Sequence, residues 1–297
     1  MLSSMGSNIF KSIVVITGRG RLCVCSNLQN AFRSVTSMGV CMKRERAFVE
    51  HRRQKILEAI IKNPGIHVED LVNTFDVSAI TIRRDLQHLE DQKLLTRFYG
   101  GATPSDKALE IKKDDVISMC RDAIARYAAT LVEDTDSLFI NTSSTALGMI
   151  QYITKQNVTI ITNNGRAISS PHPSGVSVIL TGGELRYPKE AMVGEFAERN
   201  LLKVYAKKTF IGCSGISAEY GMTTANANEV NLNELMISRA SQDVYVMADH
   251  TKIETRSSFR TCSLEKIGHL ITDDKAPKEV LDMYREKGLQ VHVVSRQ

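Results

Sequence analysis

The sequence predicts two folded domains, a small mixed α+β domain over residues 43–102 and a larger α/β domain with a mainly parallel sheet over residues 136–297. In the first region, apolar residues recur at helical spacing. In the second, seven short apolar runs alternate with helical patterns, as in a parallel sheet. Of the 297 residues, 42% are hydrophobic and 24% are charged. The hydrophobic fraction is large enough to form a buried core. No segment approaches the roughly 18 uninterrupted apolar residues of a membrane span, so no membrane partner is expected.

The formal charge of +5 is concentrated in residues 1–42, which contain four basic residues and no acidic residue. Three interpretations fit this segment: an organellar targeting peptide, a disordered basic arm that contacts DNA phosphates, or a mis-assigned start, with translation beginning at Met42. The remainder of the chain is nearly neutral. This argues against a nonspecific nucleoid protein, because nonspecific binding depends on many phosphate contacts.

The cysteines predict neither a metal site nor a disulfide framework. Cys23-Val24-Cys25 has the spacing of half a metal site, but no matching pair occurs elsewhere in the chain. Cys120, Cys213 and Cys262 are scattered singly, as is typical of free thiols in a reducing compartment. We therefore expect a cytoplasmic protein without a metal ion or a cofactor.

Three helices are predicted within residues 43–102. The first, around residues 56–61, ends at residues 63–65 because Pro64 cannot continue a helix. A second amphipathic helix covers residues 68–75. Ser78 is a suitable N-cap for the third helix. The inner face of this third helix is predicted to consist of Ile80, Leu86 and Leu89.

The opposite face of the third helix carries hydroxyl, amide and basic side chains. They are Ser78, Thr81, Arg83, Arg84 and Gln87. A helix that presents such groups from its first turns suits the DNA major groove, where arginine makes bidentate contacts with guanine. Residues 94–99 predict a strand and Gly100-Gly101 a turn, which together form a β-wing with Arg97 as a further basic contact. Double-stranded DNA is the predicted partner; the alternative is a packing module with a solvated charged face.

The sequences of residues 77–86, 94–97 and 100–102 closely resemble the DNA-binding domain of DeoR-type bacterial repressors. The resemblance implies a winged helix-turn-helix, with the helix after Ser78 as the recognition helix. Tyr99 stands where the family more often has histidine.

Residues 103–135 are predicted to link the two domains. Thr103-Pro104-Ser105-Asp106 is polar and typical of a linker. A helical pattern follows. It predicts a connector that is also the first packing helix of the second domain, with one side formed by Ile117, Ile124, Ala128 and Leu131.

Seven strands are predicted in the second domain, over residues 138–140, 158–161, 176–180, 209–211, 244–247, 270–271 and 291–294. Ligands of parallel sheets bind at the carboxyl ends of the strands. Five of these ends are followed by small, polar or glycine residues, and the hydroxyl-rich first one leads into a helix N-terminus, which favours an anion. The pattern favours a polar, phosphate-bearing ligand. The candidate residues are Asn141, Thr142, Ser143, Ser144, Thr145, Asn163, Gly182, Gly183 and Gly215.

These loops, together with residues 221–224, Glu229 and residues 249–252, resemble the DeoR-type sensor domain, so that the resemblance covers about residues 47–294. That domain is similar in fold to ribose-phosphate isomerases and binds phosphorylated sugars or related metabolites. The resemblance adds two effector contacts, Glu229 and Lys252, the latter as a candidate cation for phosphate.

Two positions depart from the family pattern, since Asn141 stands where aspartate is usual and Asn233 where lysine is frequent. Asparagine cannot act as a general base, and Asn233 supplies no cation. Both changes are expected to alter the hydrogen bonding and charge of the pocket, so the identity of the effector stays open.

These patterns predict a ligand-responsive transcription factor. We expect it to repress carbohydrate-metabolism genes and to bind operator DNA as a homodimer or homotetramer. The alternative is a sugar-phosphate isomerase-like enzyme. Proton transfer needs a positioned acid or base, and Asn141 removes one candidate while leaving Glu229 and Asp249. We therefore predict no catalytic residue.

Overall fold

The computed structural model describes residues 13–16, 22–25 and 47–296, and it divides into two compact units between Lys112 and Lys113. Strands β1 (Ile13–Ile16) and β2 (Leu22–Cys25) pair in an antiparallel sheet. The other residues of the 1–42 segment lie outside the described residues. The three interpretations of that segment therefore stay predictions.

Residues 47–104 of the first unit form three helices and a three-stranded sheet. These elements are α1 (47–62), β3 (Ile66–His67), α2 (Val68–Phe75), α3 (Ala79–Asp91), β4 (Leu95–Phe98) and β5 (Gly101–Pro104). Strand β5 lies in the middle and pairs antiparallel with both β3 and β4. The predicted helices and wing are therefore confirmed.

The buried face of α3 differs from the prediction at one residue. Ile82, Leu86 and Leu89 are at most 3% exposed, whereas Ile80 is 78% exposed. The assignment of Ile80 to the inner face was wrong. Residues 82, 86 and 89 follow the helical repeat, whereas Ile80 lies about 200° around the axis from Ile82.

The segment predicted as a linker is mostly regular structure. Thr103 and Pro104 end β5, where they pair with Thr96 and Leu95. The composition of this segment is typical of a loop, and the pairing depends on contacts with β4 that composition does not show.

Helix α4 (Asp106–Thr130) begins directly after β5. Ser105 starts it, because its Oγ accepts a hydrogen bond from the backbone N–H of Ala108 at 3.3 Å. The boundary between the two units falls inside this continuous helix.

The second unit is built on a parallel sheet. Its strands are β6 (Ser137–Ile140), β7 (Val158–Thr162), β8 (Val176–Leu180), β9 (Glu184–Arg186), β10 (Ala191–Val193), β11 (Ala206–Gly212), β12 (Gly215–Ser217), β13 (Gly221–Thr224), β14 (Ala240–Met247), β15 (Phe259–Cys262), β16 (His269–Asp273) and β17 (Gln290–Val294). Seven of them form one sheet in the order β17-β16-β14-β11-β6-β7-β8, and every neighbouring pair is parallel. These seven include all the predicted strands. The predicted α/β class is thus confirmed.

The smaller strands form two antiparallel sheets, β9-β10 and β12-β13-β15, which the sequence did not predict. Each of these strands has only three or four residues, and several are polar or rich in glycine. Except for Ala191-Met192-Val193 of β10, these strands lack the mostly apolar runs by which the central strands were found.

Helices cover both faces of the parallel sheet, as predicted. They are the second half of α4, α5 (Ser144–Gly148), α6 (Glu195–Leu201), α7 (Val230–Ser238) and α8 (Lys278–Glu286). Leu138 and Ile140 of β6 pack in one apolar cluster with α4 and α5. Phe139, between them, packs in another cluster with α6 and α7. In the part of the chain that the structure describes, no helix combines the length and apolar character needed to cross a membrane.

Candidate DNA-binding surface and effector cavity

The start of α3 is fixed by Ser78, whose Oγ accepts a hydrogen bond from the backbone N–H of Thr81 at 3.3 Å and lies 3.0 Å from the Thr81 hydroxyl. Arg83 and Arg84 follow on the exposed surface of the helix. Neither arginine takes part in any of the ion pairs found among the described residues. Both guanidinium groups are therefore available to an anionic partner.

Two other predicted DNA contacts are engaged within the protein. Arg97 Nε lies 2.7 Å from Glu90 Oε2, and the same guanidinium donates a hydrogen bond to Gln87 Oε1. Gln87 in turn donates to Asp91 Oδ1 at 2.8 Å. Hydrogen bonds from the backbone N–H and the side chain of Arg97 lower the pKa of Glu90. These contacts hold Gln87 and Arg97 to side chains of the protein, whereas Arg83 and Arg84 make no ion pair among the described residues, which makes Arg83 and Arg84 the stronger candidates.

Asp85 is an acidic residue whose role sequence reasoning missed. It is 1% exposed and accepts hydrogen bonds from Arg52 Nε at 2.8 Å and Arg53 Nε at 2.9 Å. These ion pairs hold α1 to α3. The sequence does indicate this role, because Asp85 is a charged residue that lies at helical spacing between Ile82 and Leu89, on the buried face of α3.

A cavity of about 250 Å³ lies at the carboxyl ends of β6, β11 and β14 in the second unit. Seven predicted effector contacts line it: Asn141, Thr142, Ser143, Ser144, Thr145, Glu229 and Lys252. Four predicted contacts do not line it: Asn163, Gly182, Gly183 and Gly215. Further lining residues that sequence reasoning did not assign to effector binding are Arg121, Arg166, Lys189, Ser214, Thr224 and Asp249.

Asn141 and Asn233, the two departures from the family pattern, contact each other. Asn141 Nδ2 donates to Asn233 Oδ1 at 3.2 Å and to the carbonyl oxygen of Gly212 at 2.9 Å. Its Oδ1 accepts from the backbone N–H groups of Gly212 at 3.0 Å and Ser143 at 3.2 Å. An aspartate and a lysine at these positions would carry opposite charges. The two neutral amides would thus replace one carboxylate and one ammonium with no difference in net charge, and how this alters the pocket stays a prediction.

Gly212 allows the loop after β6 to approach β11. A Cβ atom at this position would lie 2.1 Å from Ser143 Oγ, so any larger residue would displace the loop. The backbone of β11 thus helps to fix Asn141 and Ser143 at the cavity.

Most of the basic side chains in the cavity already have carboxylate partners. The pairs are Arg121 Nε–Asp249 Oδ2 at 2.7 Å, Lys189 Nζ–Glu229 Oε1 at 3.1 Å and Arg166 Nε–Glu190 Oε1 at 3.7 Å. Lys252 makes no ion pair with any residue that the structure describes. It is therefore the cation of the cavity that is available to a ligand without an exchange of partners.

The acidic groups of the cavity are held as hydrogen-bond acceptors. Burial raises the pKa of Asp249, but hydrogen bonds from Thr251 and Arg121 outweigh it and bring the pKa below its ordinary value. Glu229 accepts from Lys189 and from Thr224 Oγ1, the latter at 3.1 Å. Asp249 is thus ionised at neutral pH and bound to a cation, which does not suit a general acid.

Cys120, His250 and Asp273 place possible metal ligands within 4.8 Å of one another. Asp273 already accepts hydrogen bonds from the backbone N–H groups of His250 at 2.7 Å and Lys275 at 3.1 Å, and it lies 2.9 Å from His250 Nδ1. Burial, together with the charge of Asp273, raises the pKa of Cys120 to about 11. The cluster is explained as a hydrogen-bond network that attaches α4 to the end of β16. The absence of a bound metal stays a prediction.

The fold and these sites define a DNA-binding regulator with a ligand-binding domain. Two family models match, the DeoR-like helix-turn-helix domain over residues 52–108 and the DeoR C terminal sensor domain over residues 119–274. The uncharacterized HTH-type transcriptional regulator YulB of Bacillus subtilis (strain 168) is 32% identical, over 83% of this chain and 97% of its own length. The chain belongs to the DeoR family. It is a transcriptional regulator and not an enzyme, as the sequence predicted.

Another relative is a lactose phosphotransferase system repressor of Staphylococcus aureus (strain N315), which is 29% identical over 79% of this chain and 97% of its own length. Among solved structures, a ribose 5-phosphate isomerase from Plasmodium falciparum has a TM-score of 0.34 and 14% identity. The match covers 47% of this chain and 54% of that one.

Proposed function

We propose that the protein represses carbohydrate-metabolism genes and that a phosphorylated sugar or related metabolite modulates its binding to operator DNA. The observation that carries the effector class is the charge of the cavity, which four basic and two acidic side chains line. Lys252 is one of these four basic residues, and it forms no ion pair with any carboxylate that the structure describes. A relative that is itself named a lactose phosphotransferase system repressor supports the carbohydrate assignment.

The cavity matches both parts of such a ligand. Lys252 and the hydroxyl groups of residues 142–145 supply a cation and hydrogen-bond donors for a phosphate group. Glu229 and Thr224 supply oxygen acceptors for sugar hydroxyl groups. Asn163, Gly182, Gly183 and Gly215 are not needed for this arrangement, and their contact with the effector stays a prediction.

Helix α4 provides a connection from the cavity to the DNA-binding unit. Arg121 lies on α4 and lines the cavity, where it is bound to Asp249. A phosphate group that binds Arg121 competes with Asp249 for the same guanidinium. Because α4 is continuous with the first unit, a change at Arg121 acts on a helix that both units share. The effector regulates binding only to the extent that its affinity differs between the two states.

On the DNA side, the protein is proposed to bind as a homodimer or homotetramer. Two recognition helices would then occupy half-sites about one helical turn, or a multiple of it, apart. Exposed Arg83 and Arg84 supply the main contacts, with Ser78 and Thr81 at the helix start. A protein with this partner acts in the compartment that holds the chromosome.

Thermal denaturation of the full-length protein with sugar phosphates, each paired with its unphosphorylated sugar, tests the effector class. A ligand that binds the folded state raises the melting temperature. We expect at least one phosphorylated compound to raise it while its unphosphorylated partner does not, and the same compound to release operator DNA. If no phosphorylated compound shifts the transition, the effector assignment is wrong.

A charge introduced at Ser144 tests the location. Ser144 is exposed, lines the cavity and begins α5, where an acidic residue is compatible with the helix. Ser144→Glu should abolish the thermal shift and leave operator binding intact, because its carboxylate repels a phosphate group. Ser144→Gln, of similar size but uncharged, should retain most of the shift. An undiminished shift in Ser144→Glu would place the effector elsewhere.

A further inference from the structure

The recognition helix carries one large apolar side chain on its exposed surface. Ile80 is 78% exposed, whereas the other isoleucine and both leucines of α3 are buried. It lies two residues after the N-cap Ser78, in the first turn. Arg84 follows it by four residues and therefore lies on the same side of the helix. A base-contacting surface made of polar and charged groups thus has an aliphatic group at its beginning.

Single exposed aliphatic residues are common and need no explanation by themselves. The position of Ile80 is more restrictive. Residues in the N-terminal part of a recognition helix are those that reach base edges in the major groove. The only apolar group that the four base pairs present in that groove is the 5-methyl group of thymine.

We infer that Ile80 is a specificity-determining residue that contacts the 5-methyl group of a thymine in each operator half-site. This assignment rests on the proposed operator binding and adds a base preference to it. Arg83 and Arg84 can bind guanine or phosphate, whereas an aliphatic side chain has no favourable partner among phosphates.

The side chain is suited to such a contact. Isoleucine in a helix has one strongly preferred χ1 rotamer, so little conformational freedom is lost when it is held against a methyl group. The contact also removes from water a side chain that the folded protein leaves largely exposed.

The test begins with full-length wild-type protein and a randomised double-stranded DNA library. The operator motif selected from the library is then synthesised with each thymine replaced, one at a time, by deoxyuridine, which lacks only the methyl group. We expect wild-type affinity to fall about fourfold at one thymine per half-site, as for the loss of one buried methyl group.

Ile80→Ala should bind the original operator several-fold more weakly and show no further loss when that thymine is replaced. The comparison of the two proteins on the two DNAs isolates the pairwise contact. Ile80→Ala should keep the wild-type melting temperature, because Ile80 packs little within the protein. Ile168→Ala is the matched control. Ile168 is 73% exposed but lies in the second unit, and its removal should change neither affinity nor thymine dependence.

Two results would overturn the assignment. In the first, wild-type protein selects a defined motif, but no replacement of a thymine weakens binding. This result would support operator binding and contradict the role assigned to Ile80. In the second, Ile80→Ala loses as much affinity as wild type on replacement of the same thymine. If wild-type protein selects no motif, the proposed operator binding itself fails, and the assignment fails with it.

Discussion

Helix α3, the proposed recognition helix, and the cavity proposed to bind the effector both present basic side chains, but they hold them in different states. Arg83 and Arg84 are exposed and have no carboxylate partner among the described residues. In the cavity, three of the four basic residues are paired with acidic side chains, and only Lys252 is without a described partner.

The difference corresponds to the ligands that the two regions are proposed to bind. A DNA duplex supplies many phosphates, and exposed arginines bind them or base edges without an internal competitor. A small anion that contacts Arg121 or Lys189 shares a cation that already binds a carboxylate. We propose that ligand binding at these two cations weakens their ion pairs and so favours a different arrangement of the protein, whereas contact with Lys252 alone needs no such change.

The largest expected effect concerns arginines that are paired in the DNA-binding unit. Asp85→Ala leaves Arg52 and Arg53 without their buried partner. It should lower the free energy of unfolding by about 3 kcal/mol, the lower end of the range for a broken buried pair, because both arginines retain some contact with solvent. Urea denaturation measures this change.

Asp91→Ala is the control for Asp85→Ala. Asp91 is on the same helix but exposed, so its removal should change stability by no more than about 0.5 kcal/mol. Equal effects of the two substitutions would contradict a structural role for paired arginines in this unit.

The sequence was sufficient to predict elements with a strong local signal. All seven central strands were found because each is a short run made mostly of apolar residues, and α2 was found because Val68, Leu71, Val72 and Phe75 repeat with helical spacing. The prediction that Ile80 lies on the buried face of α3 was wrong. Isoleucine occurs at both positions 80 and 82, and this pattern alone does not show which of the two faces the core.

The cavity was predicted less completely than the sheet. Residues 141–145 were found because they follow a strand directly, where ligands of parallel sheets bind. Arg121 and Lys189 were not, because they are distant in sequence from that loop and reach the cavity only through the packing of α4 and the segment between β9 and β10. The contact between Asn141 and Asn233 was not predicted either, because the two residues are distant in sequence.

The next effect concerns the unpaired arginines of the recognition helix. Arg83→Ala and Arg84→Ala should each weaken operator binding by about 1–3 kcal/mol if the side chain contacts a base. The melting temperature should not change, because both side chains are exposed. Arg97→Ala is the comparison, since Arg97 is bound to Glu90 and should have a smaller effect on affinity. Electrophoretic mobility shift at fixed salt measures all three; unchanged affinity in Arg83→Ala and Arg84→Ala would refute the recognition-helix assignment.

The smallest effect tests the paired cations of the cavity. Asp249→Asn removes the charge that competes for Arg121, so inorganic phosphate should bind more tightly by about 1.5 kcal/mol, or roughly tenfold. Isothermal titration calorimetry measures the affinity. Thr251→Val removes a hydrogen bond to Asp249 without freeing Arg121 and should leave phosphate affinity close to that of wild type. Weaker phosphate binding in Asp249→Asn would show that Arg121 does not contact the anion.

The acid dependence of stability shows whether Asp249 carries its charge in the wild-type protein. Hydrogen bonds from Thr251 and Arg121 lower its pKa in the folded state despite its burial. The stability that this group contributes is therefore complete above its unfolded pKa of about 3.9 and is lost as the pH falls through the lower folded value. Wild type should be more stable than Asp249→Asn at neutral pH, and the difference should shrink in acid. If the difference in stability between wild type and Asp249→Asn does not depend on pH, the contact between Arg121 and Asp249 depends on shape and not on charge. The contrast with the unpaired arginines of α3 would then no longer be electrostatic.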